Sequence, residues 1–324
     1  MERTPVSLIV VNYGNQCLAG NLLRSLARHP DRALIREAVV VDNGYPSMGD
    51  SRETLGKRPW PFPVRFAQFQ GHSYPGSVNL AAESCTGPIL LLANNDIEWL
   101  TQGSMAPMVK YMLEHPDVGI AGPQLVFPDG RWQRSAGAFP SLTEGIGRLF
   151  FLGVLRNRAA AIRDWWHSGR LPAQDVDFVD GACMAVSRRC FDDLGGWDPA
   201  FDFSACDAHL NWQAKQAGWR RTLVPSSRVM HVRGASSSSV RRLAYTQRLF
   251  AAKRTMVERM RGRASAMGYD VLQRIAAVEY AFVYGMLELL WGSPDMRRRA
   301  DAAWVSGLAA LPSTQPTQSS PQNT

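Results

Sequence analysis

A chain of 324 residues has room for one large α/β domain with an appendage or for two modest domains, and its 45% hydrophobic content is enough for a substantial core. The net charge of +8 favours polyanionic partners such as nucleic acid, an anionic membrane surface or phosphorylated substrates. No Lys/Arg-rich block accompanies a nucleic-acid-binding motif, so nucleic acid is not expected as a partner.

In chain order, Val6–Val11 is a first apolar strand ending at Asn12-Tyr13-Gly14, and Leu18–His29 is a helix with Leu18, Leu22, Leu23 and Leu26 on one face. Glu37–Val41 is a second strand running into Asp42-Asn43-Gly44. Ser47–Pro63 is a loop, Val64–Ala67 a short third strand and Gly76–Ser84 a helix. Pro88–Ala93 is apolar without alternation, as in a strand covered by helices on both faces, and breaks into Asn94-Asn95-Asp96. Strands and helices alternating in this way predict βαβ units and a mostly parallel sheet. Three strands ending in Asn12, Asp42-Asn43 and Asn94-Asn95-Asp96 describe a polar rim along one sheet edge, where open α/β sheets bind nucleotides.

Met105–Leu113 is a further helix and Val118–Val126 is strand-like. Pro128–Gln174, with Trp132, Trp165, Trp166 and several arginines, is expected to fold partly over the site as a mobile loop. Asp177–Ser187 is a polar lead into a buried strand, Arg188–Leu194 a short helix and Asp207–Ala217 another. Thr222–Val224 and Arg228–His231 are the last strands, and Ser236–Ser239 is a hinge out of the core. Beyond it lie a basic helix, Val240–Gly262, and a helix apolar on most of its circumference, Asp270–Trp291. Pro312–Thr324 has the composition of a disordered tail. The expected division is 1–236, 237–311 and 312–324.

Five cysteines (17, 85, 183, 190 and 206) form no C-x-x-C pair, and the chain passes from Met1-Glu2-Arg3-Thr4-Pro5 straight into a strand. No leader and no uncharged apolar stretch of ~20 residues is visible. The expectation is a cytoplasmic protein with mostly buried thiols.

Residue chemistry alone leaves two readings at each candidate position. Asp96 is a hard carboxylate suited to a divalent cation, or a turn residue with its asparagines. Asp42 is part of the polar rim where a nucleotide would bind, or a turn acid before Asn43-Gly44. Asp207, at the start of a helix, is an anion suited to the positive end of the helix dipole or an N-cap. His231 is a ligand or a packed histidine, and no second histidine stands at a zinc-ligand spacing from it. Glycine fingerprints for dinucleotide or P-loop sites are missing.

Several motifs in one order carry a resemblance: Val-Val-Asn-Tyr (10–13), Val-Val-Asp-Asn-Gly (40–44), Gly71 through Asn79, Asn-Asn-Asp (94–96), Asp180-Gly181-Ala182, Gly-Gly-Trp-Asp (195–198), Asp207, and His231 with Gly234 and Ser236. Over roughly Val6 to Ser236 the chain resembles family 2 glycosyltransferases of the GT-A fold, especially the rhamnosyltransferase-like branch of bacterial surface polysaccharide synthesis. The resemblance implies an α/β fold with a C-terminal helical appendage. It also implies an inverting transfer of rhamnose or a related hexose from a dTDP- or UDP-sugar to a hydroxyl of a cell-surface glycan or lipid-linked acceptor.

By the same resemblance Asn12, Tyr13, Asp42, Asn43, Asn79, Asn94 and Asn95 hold the nucleotide, and Asp96 and His231 approach a divalent metal, Mg²⁺ or Mn²⁺. Asp207 is the base, and Gly181, Ala182, Trp197 and Asp198 face sugar or acceptor. Where the family has Glu-Asp-x-Asp, this chain reads Cys206-Asp207-Ala208-His209, and Phe201-Asp202-Phe203-Ser204 lacks the family's tyrosine. These departures keep an alternative open, a weakened sugar-nucleotide-binding or scaffold subunit of a glycan-assembly complex. The C-terminal helices have two expected uses, peripheral contact with the inner face of the cytoplasmic membrane and burial in a homo-oligomer.

Overall fold

The computed structural model describes residues 4–44, 50–69, 71–100, 103–149, 171–201, 205–232, 239–292, 297 and 301. Trp165, Trp166, Asp202–Ser204, Gly234, Ser236 and the tail from 312 lie outside the described residues. The chain divides into two compact units, residues 1–139 with 157–236, and residues 140–156 with 237–324.

The first unit is built in chain order from β1 (Val6–Asn12), α1 (Gln16–Arg28), β2 (Ile35–Asp42), α2 (Ser51–Leu55), β3 (Val64–Gln68), α3 (Tyr74–Glu83), β4 (Ile89–Asn94), β5 (Ile97–Glu98), α4 (Ala106–Glu114) and β6 (Val118–Val126). It continues with β7 (Ala136–Gly137), β8 (Gln174–Asp175), β9 (Phe178–Val179) and β10 (Cys183–Ser187). The second unit contributes α5 (Leu142–Leu149) between β7 and β8. After β10, the first unit ends with α6 (Arg188–Asp193), α7 (Cys206–Gln216) and β11 (Arg220–His231).

The main sheet runs β3-β2-β1-β4-β10-β6-β11-β5, with β8 added against β11. Its first four strands are parallel, and β10 enters antiparallel between β4 and β6. Val6, Leu8 and Val10 join one core cluster with Leu22, Leu23 and Leu26 of α1, while Ile9 and Val11 are buried on the opposite face. An uninterrupted apolar strand is what burial on both faces requires. Helix α3 starts on a Ser73 cap, whose Oγ accepts the Gly76 N–H at 3.2 Å, with a proline in its first turn.

Three local expectations change. The loop over 47–63 contains α2, because Asp42 reaches across to receive the backbone and hydroxyl of Ser51 at its start. The two last strands are one, β11, whose register against β6 shifts between Val224 and Arg228, an irregularity that absorbs Pro225. Within 128–174, Ala136–Gly137 pairs with Phe178–Val179 and Leu142–Leu149 is helical, so the described part of this stretch is not a loop throughout. The cysteines follow expectation, with four buried and Cys17 exposed.

The second unit consists of α5 and two long helices, α8 (Ser239–Arg261) and α9 (Arg263–Trp291). Helix α9 begins seven residues earlier than the sequence suggests, with Gly262, at φ +84°, as the break between the two. Val257, Ala266 and Tyr269 form its small core with Leu142. Arg254 ties the helices, bonding Asp270 at 2.8 Å and Glu258 at 3.0 Å. Among the described residues no helix is long and apolar enough to cross a membrane.

Candidate active site

The parallel register sets the polar rim. Asn12 stands opposite Asp42, Asp42 opposite Gln68, and Val11 opposite Asn94, so the carboxyl ends of β3, β2, β1 and β4 form one edge. Asn12 is fully buried, and its Nδ2 donates to Asp42 Oδ1 at 2.9 Å and to Ser51 Oγ at 3.2 Å. Its Oδ1 receives the Asn95 amide at 2.8 Å. Asp42 also accepts the Ser51 N–H at 2.7 Å and its hydroxyl at 2.6 Å, which holds the carboxylate in one place. Asn43 donates to the His72 carbonyl at 2.7 Å, closing β2 onto the loop before α3. Tyr13, next along, is largely exposed and offers a ring at the rim.

Beyond β4 the chain reverses into β5, which pairs with the end of β11, Ile97 opposite His231. This brings His231 Nε2 to 3.3 Å from Asp96 Oδ1. The other ring nitrogen, Nδ1, lies 3.0 Å from Gln133 Oε1. Gln133 is itself oriented, since its Nε2 donates to the carbonyls of His231 at 2.5 Å and Val126 at 3.4 Å. With Nε2 of the glutamine so engaged, Oε1 must accept, so Nδ1 of His231 carries a hydrogen. The imidazole then presents either a bare lone pair or a second proton to the Asp96 carboxylate. A lone pair facing a carboxylate is repulsive, and a cation between the two would relieve it.

An imidazole whose far nitrogen is locked by a hydrogen bond is also the usual arrangement of a metal-binding histidine. Among the described residues no group of three or more His, Cys, Asp and Glu could hold a metal by itself. The pair therefore fits a cation that draws the rest of its coordination from a bound ligand's oxygens.

Asp207 lies at the start of α7 and connects to the rim through the β9–β10 turn. The Gly181 N–H donates to its Oδ2 at 3.0 Å and the Ala208 N–H to its Oδ1 at 2.8 Å. Next to Gly181, the Ala182 carbonyl receives the Asn94 N–H at 2.9 Å. A Cβ at Gly181 would sit 2.8 Å from Asp207 Cβ, so the close approach requires glycine. Asp207 is not the N-cap of its helix. That position is Ala205, without a side-chain cap and at φ +57°, a left-handed conformation that costs about 1 kcal/mol or more for a residue with a Cβ. Burial, reinforced by the charge of Asp180, pushes the Asp207 carboxyl up to about 6, against the lowering effect of the Gly181 and Ala208 N–H groups.

Tyr74, buried at the start of α3, has its hydroxyl pushed upward, chiefly by burial and further by the charges of Cys206, Asp207, Cys183 and Asp96. It lies within electrostatic reach of both Asp96 and Asp207.

Three other sequence-predicted positions have packing roles here. Trp197 is 1% exposed, with its Nε1 donating to the Cys206 carbonyl at 2.7 Å and its ring edge-on to Tyr74. The ring is enclosed by its packing. Asn79 clasps the Trp197 backbone at both ends of its amide, at 2.7 and 2.8 Å, so both its polar ends are already engaged. Asp198 closes a short turn through the Ala200 N–H at 2.9 Å. Sequence reasoning missed Gln133, Ser51 and Tyr74, and it named Asp180 in a motif without its charge effect on Asp207. Their partners His231, Asp42 and Asp207 were visible, but the pairings span many residues and no spacing rule announces them.

Residues 3–248 match the profile of the family described as Glycosyltransferase like family 2. Among curated relatives, the O-antigen biosynthesis protein RfbC of Myxococcus xanthus is 28% identical over 170 residues, 51% of this chain and 12% of that protein. The N-acetylglucosaminyl-diphospho-decaprenol L-rhamnosyltransferase of Mycobacterium tuberculosis is 29% identical over 158 residues, 48% of this chain and 51% of that protein. The matched region is thus about half of the second relative and far less of the first.

In fold, the mannosyltransferase PcManGT from Pyrobaculum calidifontis, solved with GDP-Man and Mn²⁺, superposes with a TM-score of 0.59 at 17% identity, covering 96% of this chain and 86% of that one. TarS 1-349 of S. aureus, solved with UDP-GlcNAc, gives 0.52 at 15% identity, covering 95% and 82%. The fold is that of the GT-A glycosyltransferases, and with the family profile spanning most of its length this chain belongs to glycosyltransferase-like family 2.

Proposed function

We propose that the protein is an inverting, metal-dependent glycosyltransferase that moves rhamnose or a related hexose from a dTDP- or UDP-sugar to a hydroxyl of a cell-surface glycan or lipid-linked acceptor. The observation that carries this reading is Asp207, a partly buried carboxylate released from capping duty and joined to the polar rim through Gly181 and Ala182. A carboxylate that binds its proton near pH 6 can accept one from a hydroxyl and return it to solvent during turnover. The named relatives include an L-rhamnosyltransferase and an O-antigen biosynthesis protein, which supports the sugar and acceptor classes.

In this reading Asn12 and Asp42, locked together with Ser51, offer a fixed polar edge to the nucleotide, and Tyr13 an exposed ring. Asp96 and His231 would hold the metal, Mg²⁺ or Mn²⁺, which supplies positive charge to the leaving diphosphate when bound. Asp207 takes the acceptor hydroxyl proton as that oxygen forms its bond to the anomeric carbon. The bond from that carbon to the diphosphate oxygen breaks on the opposite face, which inverts the configuration. The N–H groups of Gly181 and Ala208 hold the Asp207 carboxylate oriented for the transfer.

A second reading, a sugar-nucleotide-binding subunit without turnover, is favoured by the residues flanking the base. Cys206 is buried, and His209 is buried and stacked on Phe201 with ring centroids 4.2 Å apart, so both family acid positions are occupied by packed side chains. Asp207→Asn separates the two. The enzyme loses roughly a hundred- to ten-thousand-fold in kcat while retaining donor binding, whereas a binding subunit has no turnover to lose.

A further inference from the structure

Helix α9 is apolar on two opposite sides. One face, with Ala266, Tyr269, Gln273, Ala276 and Ala277, is buried. The other carries Met267, Val271 and Ile275, and then Val278, Phe282 and Met286 each eleven residues further on, all exposed, with Phe282 at 69%. An eleven-residue period is close to three full turns, so these side chains form one nearly straight stripe along a helix of 29 residues, about 43 Å. A helix apolar all round has to be covered on both sides, and among the described residues this stripe is exposed. Arg274, Glu279 and Glu288 interrupt the apolar sequence, and no described helix can cross a bilayer, so a lipid contact here is along a surface.

Charge decides between the candidate occupants. Residues 140–156 and 237–324 contain fourteen Arg and Lys against seven Asp and Glu, so this unit carries +7 of the chain's +8 and the unit with the rim is nearly neutral. Two copies joined along the stripe would bring two such clusters of positive charge together. A nucleic acid would satisfy the charge and leave the stripe in water. An anionic lipid surface provides negative headgroups and an apolar layer at once.

We propose that α9 docks the protein in the plane of an anionic membrane surface, with the stripe from Met267 to Met286 at the acyl boundary and the net positive charge of the unit drawing it to the headgroups. The inference is independent of the transfer chemistry. A protein that binds vesicles and no nucleotide would keep this proposal and lose the reading given above.

The test is flotation of the full chain with vesicles of phosphatidylcholine alone and with vesicles that also contain phosphatidylglycerol, at low and high salt, for wild type, Phe282→Asp and Val278→Asp. Both substitutions are on exposed positions, and thermal melting checks that the fold is kept. The expected result is binding to the anionic vesicles that weakens with salt, with either variant reducing affinity at least about tenfold. Equal binding to both vesicle types, binding unaffected by both variants, or no binding at all would overturn it. Sedimentation velocity without lipid adds one more overturning outcome, a dimer that Phe282→Asp dissociates while the wild type ignores vesicles, which would give the stripe to a second copy.

Discussion

At the scale of single residues, Asp207 makes two pH predictions. Because burial and the Asp180 charge raise its carboxyl to about 6, the base is protonated below that value, and kcat/KM should fall about tenfold per pH unit on the acid side. Asp180→Asn should move this limb to lower pH, and a profile that stays put would remove Asp180 from the tuning of the base. Stability moves the other way. Ionising a carboxyl whose folded value is raised opposes folding, so its favourable contribution is full below the unfolded value near 3.8 and is lost as pH rises through about 6. Urea denaturation should therefore show the stability of wild type relative to Asp207→Asn declining between pH 4 and pH 7.

Gln133 gives a second prediction at this scale. Gln133→Leu frees the His231 ring to rotate and lose its tautomer, and Mn²⁺ affinity, followed by spin resonance with nucleotide present, should drop roughly ten- to a hundred-fold. Unchanged affinity would mean that His231 is not a ligand.

At the scale of elements, the turn between β9 and β10 and the start of α7 behave as one piece, since Gly181 admits Asp207 only without a side chain of its own. The Asn79 clasp on Trp197 is a comparable joint between α3 and the loop before α7. Trp197→Ala should cost about 3–5 kcal/mol in urea denaturation, as expected for an enclosed ring. If the variant instead kept its stability and lost acceptor use, Trp197 would be a sugar contact after all.

This joint also shows what a sequence conceals. The rim of Asn12, Asp42 and Asn94 was legible because continuous apolar strands end in polar residues at a shared register. The packing of Trp197 was not legible, because a Gly-Gly-Trp-Asp motif says nothing of which way the ring points. Thr222–Val224 and Arg228–His231 read as two strands, yet pairing on both sides of Pro225 holds them together as β11 through an irregular register. Gln133 belongs to no motif at all, and its partner is 98 residues away.

At the scale of the whole molecule, chemistry and charge are partitioned. The unit with the rim is close to neutral and holds Asp42, Asp96, His231 and Asp207, while the α-helical unit carries nearly all the net charge and the exposed stripe. In the proposed function the first of these is a nucleotide-diphosphate site completed by a cation at Asp96 and His231. Calorimetric titration with dTDP, UDP and GDP, with Mn²⁺ or Mg²⁺ and again with chelator, on wild type and Asp96→Ala, tests it most directly. The expected result is metal-dependent binding of one nucleotide that Asp96→Ala abolishes. Binding of no nucleotide under any condition, or binding indifferent to both chelator and Asp96→Ala, would contradict it.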